Sequence, residues 1–424
     1  MARDLKFLPP NHRERIFVPK APSNNILPSK RRNLVKNAPA PRKVTNPFCL
    51  LYTNADSLLN KKQELRMAIR DRQPDLIAIT EAMPKRCEGR IEHQELGVHG
   101  YDLIWNEETE TRHRGICIYV KEGLLVTVEQ DLTNFNFEES IWIKIQLEGR
   151  EDLLLGVIYR SPAQSDLEGN NIELLRLLQE VGKDKAQYKA IVGDFNLPNI
   201  KWNQRCGMVA GDKPLEEQFL VTIDDISMEQ VIDRPTRYRE HQNPSLLDLL
   251  LVNNPEIVHS IELRAPLGKS DHVVIEAKLD LSLHISDQPP PKRYNYGKGK
   301  YQLIRQEMAS IEWDEDLRGL DVDAQWEKIK NTVLKSVERH VPYKKDNRGN
   351  KPLWLSPRAE VAIRKRNSAW TKYLHSHRTE DLNKYKVLRN RATQTLRQAR
   401  KNFEEMVASE FKSNPKSFWR YVRG

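Results

Sequence analysis

From Asn46 to about Leu283 the chain repeats one device, an apolar run of strand length that stops at polar residues. The runs are "PFCLLYTN", "PDLIAIT", "GICIYV", "LLVTVEQ", "SIWIKIQL", "LLLGVIYR", "KAIVGD", "LLDLLLVN", "SIELRA" and "HVVIEAKL". Each is long enough for a strand and too short for a typical helix. Between the first two, "SLLNKKQELRMAIRDR" carries apolar residues at helical spacing with Ser57 as N-cap, which closes a strand–helix–strand unit. Helices are also expected at 170–182 and 215–224. Many strands with interspersed helices predict an α/β sandwich with mixed sheets.

The polar stops differ from ordinary turns in what they contain. Asn54 follows "CLLYT", Glu81 follows "LIAIT", Tyr159 and Arg160 follow "LLLGVI", and Asp194 and Asn196 follow "AIVG". Asp248 interrupts "SLLDLLLV", and Ser270, Asp271 and His272 precede "VVIEAKL". Singly, each has an ordinary explanation: Asn54 as a turn residue, Asp248 as a buried acid bonded to amides, Glu81 as a cap, His272 as a satisfied histidine, Tyr159 as a packing residue. In α/β sheets, however, ligands sit outside strand ends, so these groups can share one cleft. In "IVGDFN", alternation puts Asp194 and Asn196 on one side and turns Phe195 into packing. The "TIDD" stretch at 222–225 reads instead as a solvated helix end.

Charge separates the rest of the chain from this body. The net charge of +10 over 424 residues divides into about +9 for 1–45, about +14 for 341–424 and about −13 between. Basic flanks fit contact with a polyanion, nucleic acid foremost, and the acidic middle fits metal ions. Residues 1–45 read as a flexible basic arm, 46–283 as the strand-rich domain, 284–300 as a Pro-, Gly- and Lys-rich linker, and 301–424 as a helical basic segment. In the last, Trp313 and Trp326 are expected to pack, and 356–411 to form one or two long helices. Cys49, Cys87, Cys117 and Cys206 form no CxxC pair, which indicates neither a zinc site nor a disulfide framework. No apolar run reaches membrane-spanning length and the N-terminus is too charged for a secretory signal, so a nuclear or cytoplasmic location is expected.

In their order along the chain, "LYTNADSLLNK", "PDLIAITEAMP", "GVIYRSP", "IVGDFNLPNIKW", "SLLDLLLVN" and "GKSDHVVI" resemble the motifs of the endonuclease/exonuclease/phosphatase superfamily. The wording is similar to the endonuclease domain of LINE-type, non-LTR retrotransposon proteins. Residues 292–424 resemble the segment that joins such a domain to a reverse transcriptase; none follows within these 424 residues. "TEAMPK" differs from the "QET" wording of the repair enzymes, so abasic-site specificity is not implied. The resemblance implies a two-sheet α/β sandwich and a Mg²⁺-dependent endonuclease, with Mn²⁺ as an alternative ion and DNA as the partner. Carried onto this chain, Glu81 would hold the metal, Asp271 would help hold the metal or the leaving group, and Asp194 would orient and deprotonate the water. Tyr159, Asn196 and His272 would contact the phosphate, Asn54 would supply an amide, and Asp248 would fix the His272 tautomer. A phosphatase acting on a small or lipid phosphate, and an idle nucleic-acid-binding remnant, are the competing functions. For the C-terminal segment, phosphate neutralisation competes with packing against a reverse transcriptase through Trp354, Trp370 and Trp419.

Overall fold

A computed structural model describes residues 46–84, 93–105, 114–137, 139–162, 167–203, 206–284, 294–343 and 353–422. The predicted arm, and Cys87, lie outside the described residues. In chain order the elements begin β1 (Phe48–Asn54), α1 (Lys62–Arg72), β2 (Leu76–Thr80), α2 (His93–Leu96), β3 (Tyr101–Trp105), β4 (Cys117–Lys121), β5 (Val126–Val128), α3 (Gln130–Thr133) and β6 (Ser140–Gln146). The second half continues with β7 (Asp152–Tyr159), α4 (Leu167–Lys183), β8 (Tyr188–Asp194), β9 (Ile200–Asn203), β10 (Cys206–Val209), α5 (Pro214–Asp225), β11 (Glu229–Gln230), β12 (Asp248–Val252), β13 (Val258–Arg264) and β14 (Val274–Leu279). Six helices follow: α6 (Tyr301–Ala309), α7 (Trp313–Asp316), α8 (Val322–His340), α9 (Pro357–Ser376), α10 (Thr379–Ser409) and α11 (Pro415–Val422).

Two six-stranded sheets, ordered β13-β14-β1-β2-β4-β3 and β11-β12-β8-β7-β6-β5, face each other. Within each, a single parallel pair, β1 with β2 and β7 with β8, is joined by a crossover helix, and every other pairing is antiparallel. One buried layer, including Leu50, Tyr52, Ala78, Leu155, Val157 and Val192, fills the space between the sheets. The outer face of the first sheet (Leu51, Ile77, Ile79) packs on Leu65 and Ile69 of α1. The outer face of the second (Leu154, Ile158, Ile191) packs on Leu174, Leu178 and Val181 of α4 and Phe219 of α5. This is the predicted two-sheet α/β sandwich, and it explains the strand sequences. All seven residues of β1 and all five of β2 are buried, and a strand covered on both faces is an apolar run without alternation.

The C-terminal helices do not stand apart from this body. Ser356 caps α9 by accepting the Ala359 amide, and His377, in a left-handed conformation, turns the chain into α10. Ala369, Trp370 and Tyr373 of α9 and Tyr385 of α10 join the same buried cluster as the sheets. Arg366, 3% exposed, pairs with Glu64 of α1, and Arg70 of α1 pairs with Glu360 at 3.0 Å. Trp354 is buried with Met67 of α1, whereas Trp419 is 51% exposed.

Several elements differ from expectation. α1 begins at Lys62, not after Ser57: Asp56 and Ser57 have positive φ, and the Ser57 and Leu58 amides donate to the Glu81 and Ala82 carbonyls. Ser57 therefore belongs to a loop fastened to the end of β2. Trp326 is 61% exposed and packs little, while Trp313 is half-buried and donates to the Met308 carbonyl. β3, β11 and the β9–β10 hairpin were not expected. Cys49 and Cys117 are buried free thiols.

Candidate active site

The two parallel pairs deliver their C-terminal ends to one place. Asn54 lies opposite Thr80 in the first, with Glu81 the next residue; Tyr159 lies opposite Asp194 in the second. The Asn54 amide nitrogen donates to Asp194 Oδ2 and to Glu81 Oε1, both at 2.9 Å, and the Tyr159 hydroxyl donates to the same Glu81 oxygen at 2.9 Å. The Asn54 carboxamide thus ties Glu81 to Asp194 across the two sheets, and Tyr159 joins through Glu81. The glycine before Asp194 is required here, because a Cβ on Gly193 would lie 1.9 Å from the Ile158 carbonyl oxygen.

β12 runs antiparallel to β8 with Asp248 opposite Asp194. Asp248 is fully buried; its Oδ1 accepts the Tyr52 hydroxyl at 3.0 Å and its Oδ2 lies 2.7 Å from His272 Nδ1. An acceptor on Nδ1 fixes the proton there and turns Nε2 into the cleft, 3.7 Å from Asp194 Oδ2 and 3.9 Å from Asp271 Oδ1. The loop carrying His272 is pinned in turn: the Ser270 hydroxyl donates to the Asn54 carbonyl at 2.8 Å and accepts the His272 amide at 3.2 Å.

Burial and then the Asp248 charge push the Asp194 carboxyl up to about 6, against the opposing pull of His272 and of bonds from Asn54 and the Asn196 amide. Burial acts to lower His272, but Asp248, Asp194 and Asp271 outweigh it and raise the imidazole to about 9. Near neutrality the site therefore holds an ionised Asp194 facing an imidazolium, two groups whose environments have fixed different protonation states.

Glu81 and Asp271 sit at the more open rim, with side chains 14% and 31% exposed. Each bonds a guanidinium: Arg114 pairs with Glu81 Oε2, and Arg237 with Asp271 Oδ2 at 3.0 Å. Both carboxylates thus occupy positions that favour positive charge, and hard oxygen donors suit a divalent cation such as Mg²⁺. Ligand atoms of Asp194, Asp248 and His272, all within 4.8 Å of one another, form a further group able to hold an ion. In that group both Asp248 oxygens and His272 Nδ1 are already engaged, as both Glu81 oxygens are at the rim. Glu81, Asn196, Asp56 and Ser57 all have positive φ, a conformation costing about 1–2 kcal/mol in a non-glycine residue. Four of the nine non-glycine residues with positive φ among the described residues thus lie around this cleft.

Asn196 reaches the site by a different route from that expected. β8 ends at Asp194, so alternation does not extend to Asn196; its amide instead bonds Asp194 Oδ1 at 3.2 Å, and its carboxamide donates to the Arg160 carbonyl at 2.9 Å. Phe195 is buried as expected, against Phe219. Arg160, 5% exposed, clamps the turn by donating to the Phe195 and Asn196 carbonyls. All eight predicted site residues fall in or beside the one network. The sequence reading missed Tyr52, Thr236, Arg114 and Arg237. Tyr52 was findable, since it lies two residues before Asn54 on the same face of β1. Thr236 accepts the Leu247 and Asp248 amides. The two arginines lie in segments that carry no strand-end signal.

Residues 153–276 match the family model described as endonuclease-reverse transcriptase. Similar solved structures include the endonuclease domain of TRAS1, a telomere-specific non-LTR retrotransposon, at 15% identity over 55% of this chain and 98% of that one, with TM-score 0.42. Others are the AP endonuclease LMAP from Leishmania major (14%, 55% and 88%, TM-score 0.43) and the 3'-5' exonuclease NExo from Neisseria meningitidis (15%, 55% and 99%, TM-score 0.42). No curated protein matches the chain.

Proposed function

We propose that the chain is a metal-dependent phosphodiesterase that nicks one strand of DNA, leaving a 3′-hydroxyl and a 5′-phosphate as the family it resembles does. The observation that carries this reading is the buried Asp194 carboxylate, raised to about 6, held by Asn54 and placed 3.7 Å from a His272 imidazole raised to about 9. A base just below neutral pH beside a strong hydrogen-bond donor suits attack by water on a phosphodiester.

Glu81 and Asp271 would hold a hard divalent cation, Mg²⁺ or Mn²⁺, which would neutralise charge on the phosphate. Asp194 accepts a proton of the attacking water as its oxygen bonds phosphorus and the P–O3′ bond breaks, and the departing 3′-oxygen takes its proton from bulk water. His272, protonated and held by Asp248, directs Nε2–H at a non-bridging phosphate oxygen, where negative charge builds up in the transition state. Asn54 keeps Asp194 and Glu81 in register, and the Tyr159 hydroxyl and Asn196 turn line the seat of the phosphate.

Conversion of supercoiled plasmid to open circles with Mg²⁺, abolished by EDTA and restored by excess Mg²⁺, is expected. Full nicking in EDTA would remove the metal from the reading. Release of phosphate from inositol phosphates with no plasmid nicking would replace it with a phosphatase.

A further inference from the structure

A groove of about 310 Å³ lies between α10 and the turn that carries Lys269, two residues before Asp271. Asn390, Gln394, Arg397 and Lys401 line its α10 side. They recur at three- to four-residue spacing, so one face of the helix presents them over roughly 16 Å. Among the described residues, no carboxylate and no aromatic ring lines the groove. Lys269 and Arg397 are exposed and have no acidic partner among the described residues; Lys401 has only a 3.7 Å contact with Glu405, itself exposed.

We infer that this groove seats the backbone of duplex DNA beside the phosphate being cut. The inference rests on the DNA-cleaving reading above and adds a binding surface outside the cleft. Three features select the ligand. Cations alongside amide side chains match phosphate oxygens, which accept from both. Without an aromatic platform the groove has nothing on which to stack an unpaired base, so a strand within a duplex fits better than a single strand. Two peptide units separate Lys269 from Asp271, so their Cα atoms lie no more than about 7.6 Å apart. A strand crossing the cleft therefore passes Lys269 within about two nucleotides, at 3.4 Å of rise per base pair.

The groove is also held in a fixed place. The Gly268 amide donates to Glu64 Oε2 at 3.0 Å, and the same oxygen takes Arg366 of α9. On the other side the Tyr238 amide donates to the Asp271 carbonyl at 2.7 Å, while the Tyr238 ring meets Trp370 edge-on at 4.9 Å. Lys386 of α10 pairs with Glu240 at 2.7 Å. The α9–α10 helical hairpin and the His272 loop thus form one surface, and phosphates bound on α10 keep their register with the cleft.

The test uses the full chain and a labelled DNA duplex in EDTA, so that binding is read without cleavage, with salt varied over about 50–200 mM. The K269Q/R397Q/K401Q variant removes the groove's charge; K298Q/R305Q/K335Q removes three exposed charges elsewhere as control. The groove variant should bind about tenfold more weakly or worse, its log–log salt slope shallower by about 0.9 for each phosphate that the variant no longer neutralises. With Mg²⁺ its KM for plasmid should rise while kcat is kept, and its melting temperature should match the parent's. Unchanged affinity and slope, an equal fall in the control, or loss confined to single-stranded RNA of the same length would each overturn the inference. A parent that fails to nick while the groove variant alone loses duplex binding would leave the groove standing and remove the cleavage reading.

Discussion

Glu81 at the end of β2 and Asp194 at the end of β8 accept hydrogen bonds from the same amide nitrogen of Asn54, yet they occupy opposite environments. Glu81 is at the rim, paired with a guanidinium and bonded by Tyr159. Asp194 is sealed off, opposed by the Asp248 charge and faced by His272. The two halves of the sandwich supply equivalent strand ends that differ in burial, with the Glu81 side chain 14% exposed and that of Asp194 1%; in the proposed function the open one holds the cation and the closed one takes the proton. Their outer support differs as well. α1, behind Glu81, is braced by the C-terminal hairpin through Glu64, Met67 and Arg70, whereas the β8 half rests on α4 and α5.

The largest effect is expected from Asp194→Asn, which keeps the shape and removes the base. Plasmid nicking should fall about 10²–10⁴-fold with the melting temperature nearly unchanged. A loss under tenfold would break the assignment of the proton to the closed end. Next, Trp370→Ala or Arg366→Leu should destabilise the fold by about 3–5 kcal/mol, measured by denaturant unfolding. Hydrogen exchange should then rise in α1 and β2 before β8; the reverse order would show that the brace serves the other half.

Smaller effects sharpen the division further. Tyr159→Phe removes one of the bonds holding Glu81 and should raise the Mg²⁺ concentration for half-maximal nicking by about 10–100-fold. A change in kcat with the Mg²⁺ dependence unmoved would show that Tyr159 acts on the phosphate alone and not through Glu81. The smallest expected effect concerns pH. His272 is raised above its unfolded value of about 6.5, so its stabilisation is complete below that value and is lost as pH rises through about 9. In EDTA the melting temperature should decline from pH 7 to 9.5, less so in His272→Gln; nicking should fall as pH drops below about 6 and Asp194 takes up a proton.

What was legible in the sequence followed from double burial. Strands such as β1, β7 and β8, covered on both sides, appear as apolar runs, and the polar residues that end them stand out. β3, only half-buried, and the short β9–β10 hairpin lack that contrast. Ser57 met the rule for a helix cap, but amide bonds from its loop to the β2 end outweighed the local preference. Arg114 and Arg237 were invisible because each acts on a carboxylate remote in sequence. The docking of α9 could not be read either: a basic helix with a buried aromatic face reads the same whether that face meets its own domain or another.

The buried pair between Glu64 and Arg366 joins residues 302 apart in sequence, and Tyr52 meets Asp248 across 196. Contacts of such range form late, since long loops must close before they contribute. During synthesis at about 5–20 residues per second, strands β1 and β2 leave the ribosome many seconds before His272, and longer still before the helix that braces them. The first half must wait with its edges uncovered and its carboxylates unpaired. A nascent chain therefore has no assembled cleft until His272 has emerged, and no brace for α1 until α9 has followed.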